Sequence, residues 1–217
     1  MPSFGVKGHS HVDSEEERRL KTKARPGKGK AITLSRFEEA LVFANRIHAS
    51  QTRKGTSTPY VAHLLAVTAL VIENGGNENE AIAALLHDAV EDQGGRETRD
   101  EIRRRFGDKV VSIIDGCTDT DQVPKPPWRD RKEEYIARLR MEPSDSVRLV
   151  ALADKVHNAR TIIADHSQVG DAVWARFKGG KEGTLWYYRS LVNAFRGFGS
   201  KALVEEFEEL VSKMERL

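Results

Sequence analysis

No apolar run in these 217 residues approaches the roughly 20 needed to cross a bilayer, and residues 1–30 lack the apolar core of a secretion signal. A soluble, cytoplasmic protein is therefore expected. The single cysteine, Cys117, excludes an intramolecular disulfide and any multi-cysteine metal site, and it suits a reducing compartment. Neither sign of charge dominates: 35 Lys and Arg stand against 33 Asp and Glu, a net charge of +2. The field of such a chain is too weak to hold nucleic acid non-specifically, so no nucleic-acid or membrane partner is expected. Any anion must be met by local basic clusters. No window alternates apolar and polar residues with period two, no segment repeats, and nothing in the pattern assigns an oligomeric state.

What the chain has instead is helical periodicity. Residues 1–33 are rich in Lys, Arg, Glu, Gly and Ser and poor in apolar residues, and they predict a solvated, disordered arm ahead of one domain over 34–217. Phe37, Leu41, Ala44 and His48 mark the inner stripe of a first helix, with Ser35 and Glu38 as a capping box. Helices are then expected over Tyr60–Asn74 and Glu78–Val90. A charged helix opened by a second capping box, Thr98 with Glu101, runs to Phe106, and another runs to about Asp115. A proline-containing loop, Thr118–Trp128, separates these from helices over Arg131–Arg140, Asp145–Ile163, Trp174–Phe177, Leu185–Phe195 and Ala202–Leu217. The fold class is all-α, a compact multi-helix bundle.

The sharpest chemical signal is LeuLeuHisAspAlaValGluAsp, residues 85–92, where four ionisable groups end an otherwise apolar helix. Burying such groups is costly unless they are paired or bind an ion. At helical spacing His87 and Glu91 share a face one turn apart, as do Asp88 and Asp92. Two other segments carry the same anomaly: His63 in TyrValAlaHisLeuLeuAlaVal and Asp154 in LeuValAlaLeuAlaAspLysVal. Each alone reads as a hydrogen-bonded core residue. Together, two imidazoles and two carboxylates on three apolar helices form a donor set for a first-row divalent ion. Mn²⁺ is preferred, and Zn²⁺, Fe²⁺ and Mg²⁺ are the other ions such donors accept.

These residues resemble the hydrolase domain of the Rel/SpoT alarmone family, an HD-type phosphohydrolase, and in particular its stand-alone small hydrolases. The likeness runs in order through ArgLysGly (53–55), ProTyrValAlaHis (59–63), AlaAlaLeuLeuHisAspAlaValGluAsp (83–92), PheGlyAspLysVal (106–110), AspArgLysGluGluTyr (130–135) and AlaAspLysValHisAsnAlaArg (153–160). It implies an HD-domain bundle that hydrolyses ppGpp and pppGpp to GDP or GTP plus pyrophosphate with Mn²⁺. It implies the metal ligands His63, His87, Asp88 and Asp154, and the catalytic pair Glu91 and Asp92. Substrate would be bound by Arg53, Lys54 and Asn158. Residue chemistry agrees: Glu91 can orient or deprotonate the attacking water, Asp92 can hold the water network, and an Arg–Lys pair before a glycine turn suits a pyrophosphate. The bland alternatives are solvated loop cations and an asparagine that caps the backbone.

Tyr187, within TrpTyrTyrArg (186–189), is a candidate aromatic wall near the nucleotide, although Trp186 and Tyr187 cannot both point inward with Tyr188. Lys125, Arg129, Arg131 and Lys132 can meet distal phosphates or cap the pocket. His157 has either an outer hydrogen bond to the site or a packing role; Lys155 is expected to point away from Asp154, and His48 to be structural. Three departures from the commoner family pattern are expected to border the substrate pocket: a longer loop between Lys54 and Pro59, LeuLeu after His63, and the basic residues of 121–129. They leave open an alternative nucleotide, such as ppApp, the 2′-phosphate of NADPH or a nucleoside monophosphate. A catalytically silent metal–nucleotide regulator is the other alternative, against which Glu91 and Asp92 argue. The chain's length predicts no alarmone synthetase domain.

Overall fold

A computed structural model describes residues 34–217 apart from positions 121, 123 and 199 and the side chains of residues 34 and 35. The arm expected over 1–33 and the capping side chain of Ser35 lie outside the described residues. Along the chain run α1 (Leu34–Ile47), α2 (Val61–Glu73), α3 (Glu78–Leu86), α4 (Ala89–Asp92), α5 (Gly95–Phe106), α6 (Asp108–Cys117), α7 (Trp128–Met141) and α8 (Asp145–Val169). A 3-10 segment (Gly170–Arg176), α9 (Gly180–Phe195) and α10 (Lys201–Met214) complete the set. The extended pairing among the described residues is one bridge, Thr52 with Pro59. The fold is all-α, and no described helix is long and apolar enough to cross a membrane.

α3 is the axis of the domain. Every residue from Glu80 to Leu86 is buried, as expected of a helix apolar all round. Its alanines at 81, 83 and 84 let α1, α2, α6 and α8 approach closely. Leu64 and Val67 of α2, Ile82 and Leu85 of α3, and Leu152 and Val156 of α8 are fully buried in the core between them. α10 covers the other side of α8 and meets α9.

α3 begins with a capping box that the sequence reading did not include. The Asn77 side chain accepts from the Asn79 and Glu80 amides, and the Glu80 carboxylate accepts from the Asn77 amide. Asn77→Ala is expected to lower stability by about 1 kcal/mol, a shift of a few degrees in a thermal unfolding curve.

α7 and α9 start earlier than expected, at Trp128 and Gly180, and the helix expected over Trp174–Phe177 is the 3-10 segment Gly170–Arg176. Three other elements differ from expectation for identifiable local reasons. The helix expected over Glu78–Val90 lapses at His87–Asp88. There His87 Nδ1–H donates to the Ala84 carbonyl at 2.9 Å, the oxygen toward which the Asp88 amide of a regular helix would point. α5 starts at Gly95 rather than at a Thr98 cap, because the Thr98 hydroxyl donates back to the Gln93 carbonyl. α8 runs past Ile163 to Val169 and stops at Gly170, whose φ of +59° is the left-handed backbone that favours glycine.

Candidate metal centre and catalytic cavity

The lapse between α3 and α4 places His87 and Asp88 side by side at the centre of the domain. His63, in the first turn of α2, and Asp154, midway along α8, come to the same point. The donor atoms of His63, His87 and Asp88 lie within 4.8 Å of one another. Asp154 Oδ1 stands 3.2 Å from His63 Nε2 and 3.6 Å from His87 Nε2, and Asp88 Oδ2 stands 3.7 and 3.0 Å from the same nitrogens.

The site passes a direct test of fit. His63 Nε2 and His87 Nε2 are buried, yet neither is satisfied by a hydrogen bond of good geometry. The carboxylates are near them but not in line. Since the Ala84 carbonyl can only accept, His87 carries its proton on Nδ1 and its Nε2 is a lone pair free for an ion in the neutral ring. Two unsatisfied imidazole nitrogens and two converging carboxylate oxygens are the donor chemistry of a divalent cation.

Charges at the centre are strongly coupled. Burial alone would lower the pKa of His87, but Asp88 and Asp154 hold it well above its ordinary value. Burial would likewise raise Asp88, but His87 and His63 keep its carboxyl well below the usual range. For Asp154, burial is outweighed by Lys155 and by the two histidines. A divalent ion replaces protons at such a site.

Lys155 corrects the expectation that it points away. Adjacent residues on a helix diverge, but the long lysine stem folds back, and Nζ donates to Asp154 Oδ2 at 2.5 Å. Asp88 is held from the other side by the Tyr60 hydroxyl, and Tyr60 in turn stacks on buried His48 at 5.2 Å. His48 is buried, the placement expected from the inner stripe of the first helix. Tyr60 was missed, although it lies one turn before His63 within a motif already singled out.

Next to the metal donors opens a cavity of about 470 Å³, whose lining includes Arg53, Lys54, Glu91, Asp92, Asn158 and Tyr187. All of the substrate-binding and catalytic candidates therefore share one cavity. Glu91 Oε1 accepts from Lys125 Nζ at 2.7 Å. Asp92 Oδ2 accepts from the Gln51 amide at 2.8 Å. Desolvation of its carboxyl and the charge of Asp88 raise the Asp92 pKa, and the Gln51 hydrogen bond opposes them. Gln51, also missed, is itself held by His48 Nδ1 and the Gln93 amide, both donating to its Oε1.

Asn158 differs from a simple ligand-binding side chain. Its Oδ1 accepts from Arg53 Nη2 at 2.6 Å, while its Nδ2 donates to Asp154 Oδ1 at 2.5 Å. It links the Arg53 turn to Asp154. That turn needs Gly55: φ is +75°, and a Cβ there would lie 2.6 Å from Arg176 Nε.

The remaining candidates divide. Lys132 lines the cavity, 3.1 Å from Asp119 and 4.8 Å over the Tyr187 ring. Arg131 also lines it, but its side chain is buried against Asp119 and the Pro126 carbonyl, which anchors the proline-containing loop. Arg129 is drawn away onto the Trp186 ring and Glu133. Tyr187 and Tyr188 are buried, whereas Trp186 is half-buried, in keeping with the helical spacing. Of the three departures, LeuLeu does not border the cavity: Leu64 is in the core and Leu65 is exposed.

Two histidines and two aspartates converging beside a cavity of carboxylates and cations define a candidate divalent-metal centre of the His/Asp kind. The chain belongs to the HD-domain family, whose pattern matches residues 40–185, and HD domains bind divalent metals. It is 40% identical over 131 residues, 57% of this chain and 68% of the relative, to a guanosine-3′,5′-bis(diphosphate) 3′-pyrophosphohydrolase of Xenopus tropicalis. It is 37% identical over 133 residues to a GTP pyrophosphokinase of Streptomyces coelicolor. That match takes in 60% of this chain and spans only 15% of the relative's length. Among solved structures, a metazoan orthologue of SpoT described as hydrolysing ppGpp and acting in starvation responses superposes with a TM-score of 0.70 at 25% identity, over 87% of this chain and 100% of that one. A Listeria monocytogenes protein superposes with a TM-score of 0.62 at 28% identity, over 71% of this chain and 99% of the other.

Proposed function

We propose that this chain hydrolyses guanosine 3′-pyrophosphates, converting ppGpp to GDP and pppGpp to GTP with release of pyrophosphate. The observation that carries the reading is one cavity lined by Glu91, Asp92, Arg53 and Lys54 together with Tyr60 and Asn158, which hydrogen-bond to Asp88 and Asp154 of the four converging donors. The names of the Xenopus relative and of the metazoan structure support the choice of nucleotide. A cytoplasmic setting goes with such a substrate.

In this reading His63, His87, Asp88 and Asp154 hold the ion, with Mn²⁺ preferred for a mixed nitrogen and oxygen donor set. A bound divalent ion lowers the pKa of water and screens phosphate charge. Glu91 takes the proton from the attacking water. An arriving phosphate competes with Glu91 for the Lys125 ammonium, which frees the carboxylate as substrate binds. Asp92, oriented by Gln51, holds the water network. Arg53 and Lys54 receive the pyrophosphate, and Tyr187 offers an aromatic face to the nucleotide.

The test is to supply Mn²⁺-loaded protein with ppGpp, ppApp, NADPH and nucleoside monophosphates and to follow pyrophosphate and phosphate. Pyrophosphate from ppGpp is the expected result. Phosphate from NADPH or a monophosphate would reassign the substrate, and no turnover despite nucleotide binding would make the protein a regulator. Arg53→Ala should raise KM for ppGpp roughly tenfold to a hundredfold, the worth of a charge-assisted hydrogen bond to phosphate, in steady-state kinetics. Unchanged KM would remove Arg53 from the phosphate site.

A further inference from the structure

His63 and His87 are held for metal binding by different means. His87 Nδ1 is tied to a backbone carbonyl, which no side-chain substitution removes. His63 Nδ1 instead faces another imidazole nitrogen, Nδ1 of His157, at 2.8 Å, with the ring centroids 4.8 Å apart. Two facing nitrogens at this distance share one proton, since two would clash and two lone pairs would repel. If the proton sat on His157, His63 in its neutral form would carry its own proton on Nε2 and could not ligate through that atom.

We propose that His157 is a positioning residue for the metal centre. Its Nδ1 lone pair accepts the Nδ1–H of His63 and so presents the His63 Nε2 lone pair to the point shared with His87, Asp88 and Asp154. The inference rests on the metal-centre reading above and extends it to a residue that touches no ion. One turn of α8 then serves the site three times. Asp154 supplies an oxygen, Asn158 donates to that same oxygen, and His157, three residues after Asp154, sets the tautomer of the ligand on α2. Ion binding selects one of two otherwise interchangeable proton positions, so the affinity of the site depends on the acceptor at 157.

The test uses the full chain, stripped of metal, in wild-type, His157→Leu and His157→Gln forms, with Mn²⁺ titrated and the free ion read by electron paramagnetic resonance. Leucine fills space without an acceptor, and glutamine keeps an acceptor oxygen. His157→Leu should bind Mn²⁺ about 10- to 100-fold more weakly, with a metal-free melting temperature close to wild type, and His157→Gln should recover most of the affinity. In wild-type protein loaded with Zn²⁺, long-range ¹⁵N–¹H spectra should show His63 protonated on Nδ1. Wild-type affinity in His157→Leu, or equal weakness in both variants, overturns the positioning role and leaves the metal centre standing. A His63 proton on Nε2 overturns it without recourse to any variant. Wild-type protein that binds no Mn²⁺ overturns the metal-centre reading, and this inference with it.

Discussion

Asp154→Asn is expected to empty the metal centre and to cut pyrophosphate release by on the order of 10³-fold or more. The ion contributes several kcal/mol to the transition state, and each ~1.4 kcal/mol is tenfold in rate. Asp154 Oδ1 is 3.2 Å from His63 Nε2, and its second oxygen holds Lys155. An amide keeps the shape of the side chain but removes the charge that both the ion and the lysine require. The substitution therefore acts twice. Lys155, whose side chain is only 16% exposed, is left without its counter-charge, and stability falls by about 3 kcal/mol. His63→Ala separates the two effects, because it removes a metal donor and leaves the Lys155–Asp154 pair intact. Both variants should lose bound metal by elemental analysis, and Asp154→Asn should also lose the stability that the lysine pair contributes in the metal-free protein. Full metal content in either variant would refute its assignment as a ligand.

Glu91→Gln is expected to keep the metal and lose the reaction, with kcat reduced by roughly 10²- to 10⁴-fold and little change in KM or metal content. Glu91 sits on α4, four residues after His87; it lines the cavity and pairs with Lys125, and it is not one of the converging donors. Glutamine is nearly isosteric but cannot accept the proton of water. Asp92→Asn should have a smaller effect on the proton transfer, since the carboxylate is held by Gln51 and serves to order the water. A Glu91→Gln enzyme within tenfold of wild-type kcat would place the base elsewhere in the cavity. Parallel loss of metal would make Glu91 part of the ion's surroundings.

The candidate metal donors stand out because they are misplaced as residues. A histidine among leucines at 63, a His-Asp pair ending an alanine-rich helix at 87–88 and an aspartate among alanines at 154 contradict the apolar helices that carry them. Helical spacing then put Glu91 and Asp92 one turn away, and the backbone keeps that relation even through the lapse at His87–Asp88. The supporting contacts could not be read in the same way. Gln51 lies in a loop with no periodicity, and Tyr60 reads as an ordinary aromatic at a helix start. The bend of Lys155 toward Asp154 depends on side-chain torsions rather than on helical phase.

The sequence by itself determined the all-α class and the four polar residues that converge, because the apolar period sets which face of each helix is buried and those four residues break it. Tertiary structure alone decided how those donors are held. His157 reaches His63 from a helix 94 residues away, Asn158 ties Arg53 to Asp154, and Tyr60 secures Asp88. Such links depend on where separate helices stop and how their side chains turn. Those positions are set by the packing of α2, α3 and α8 together, and no one segment encodes them.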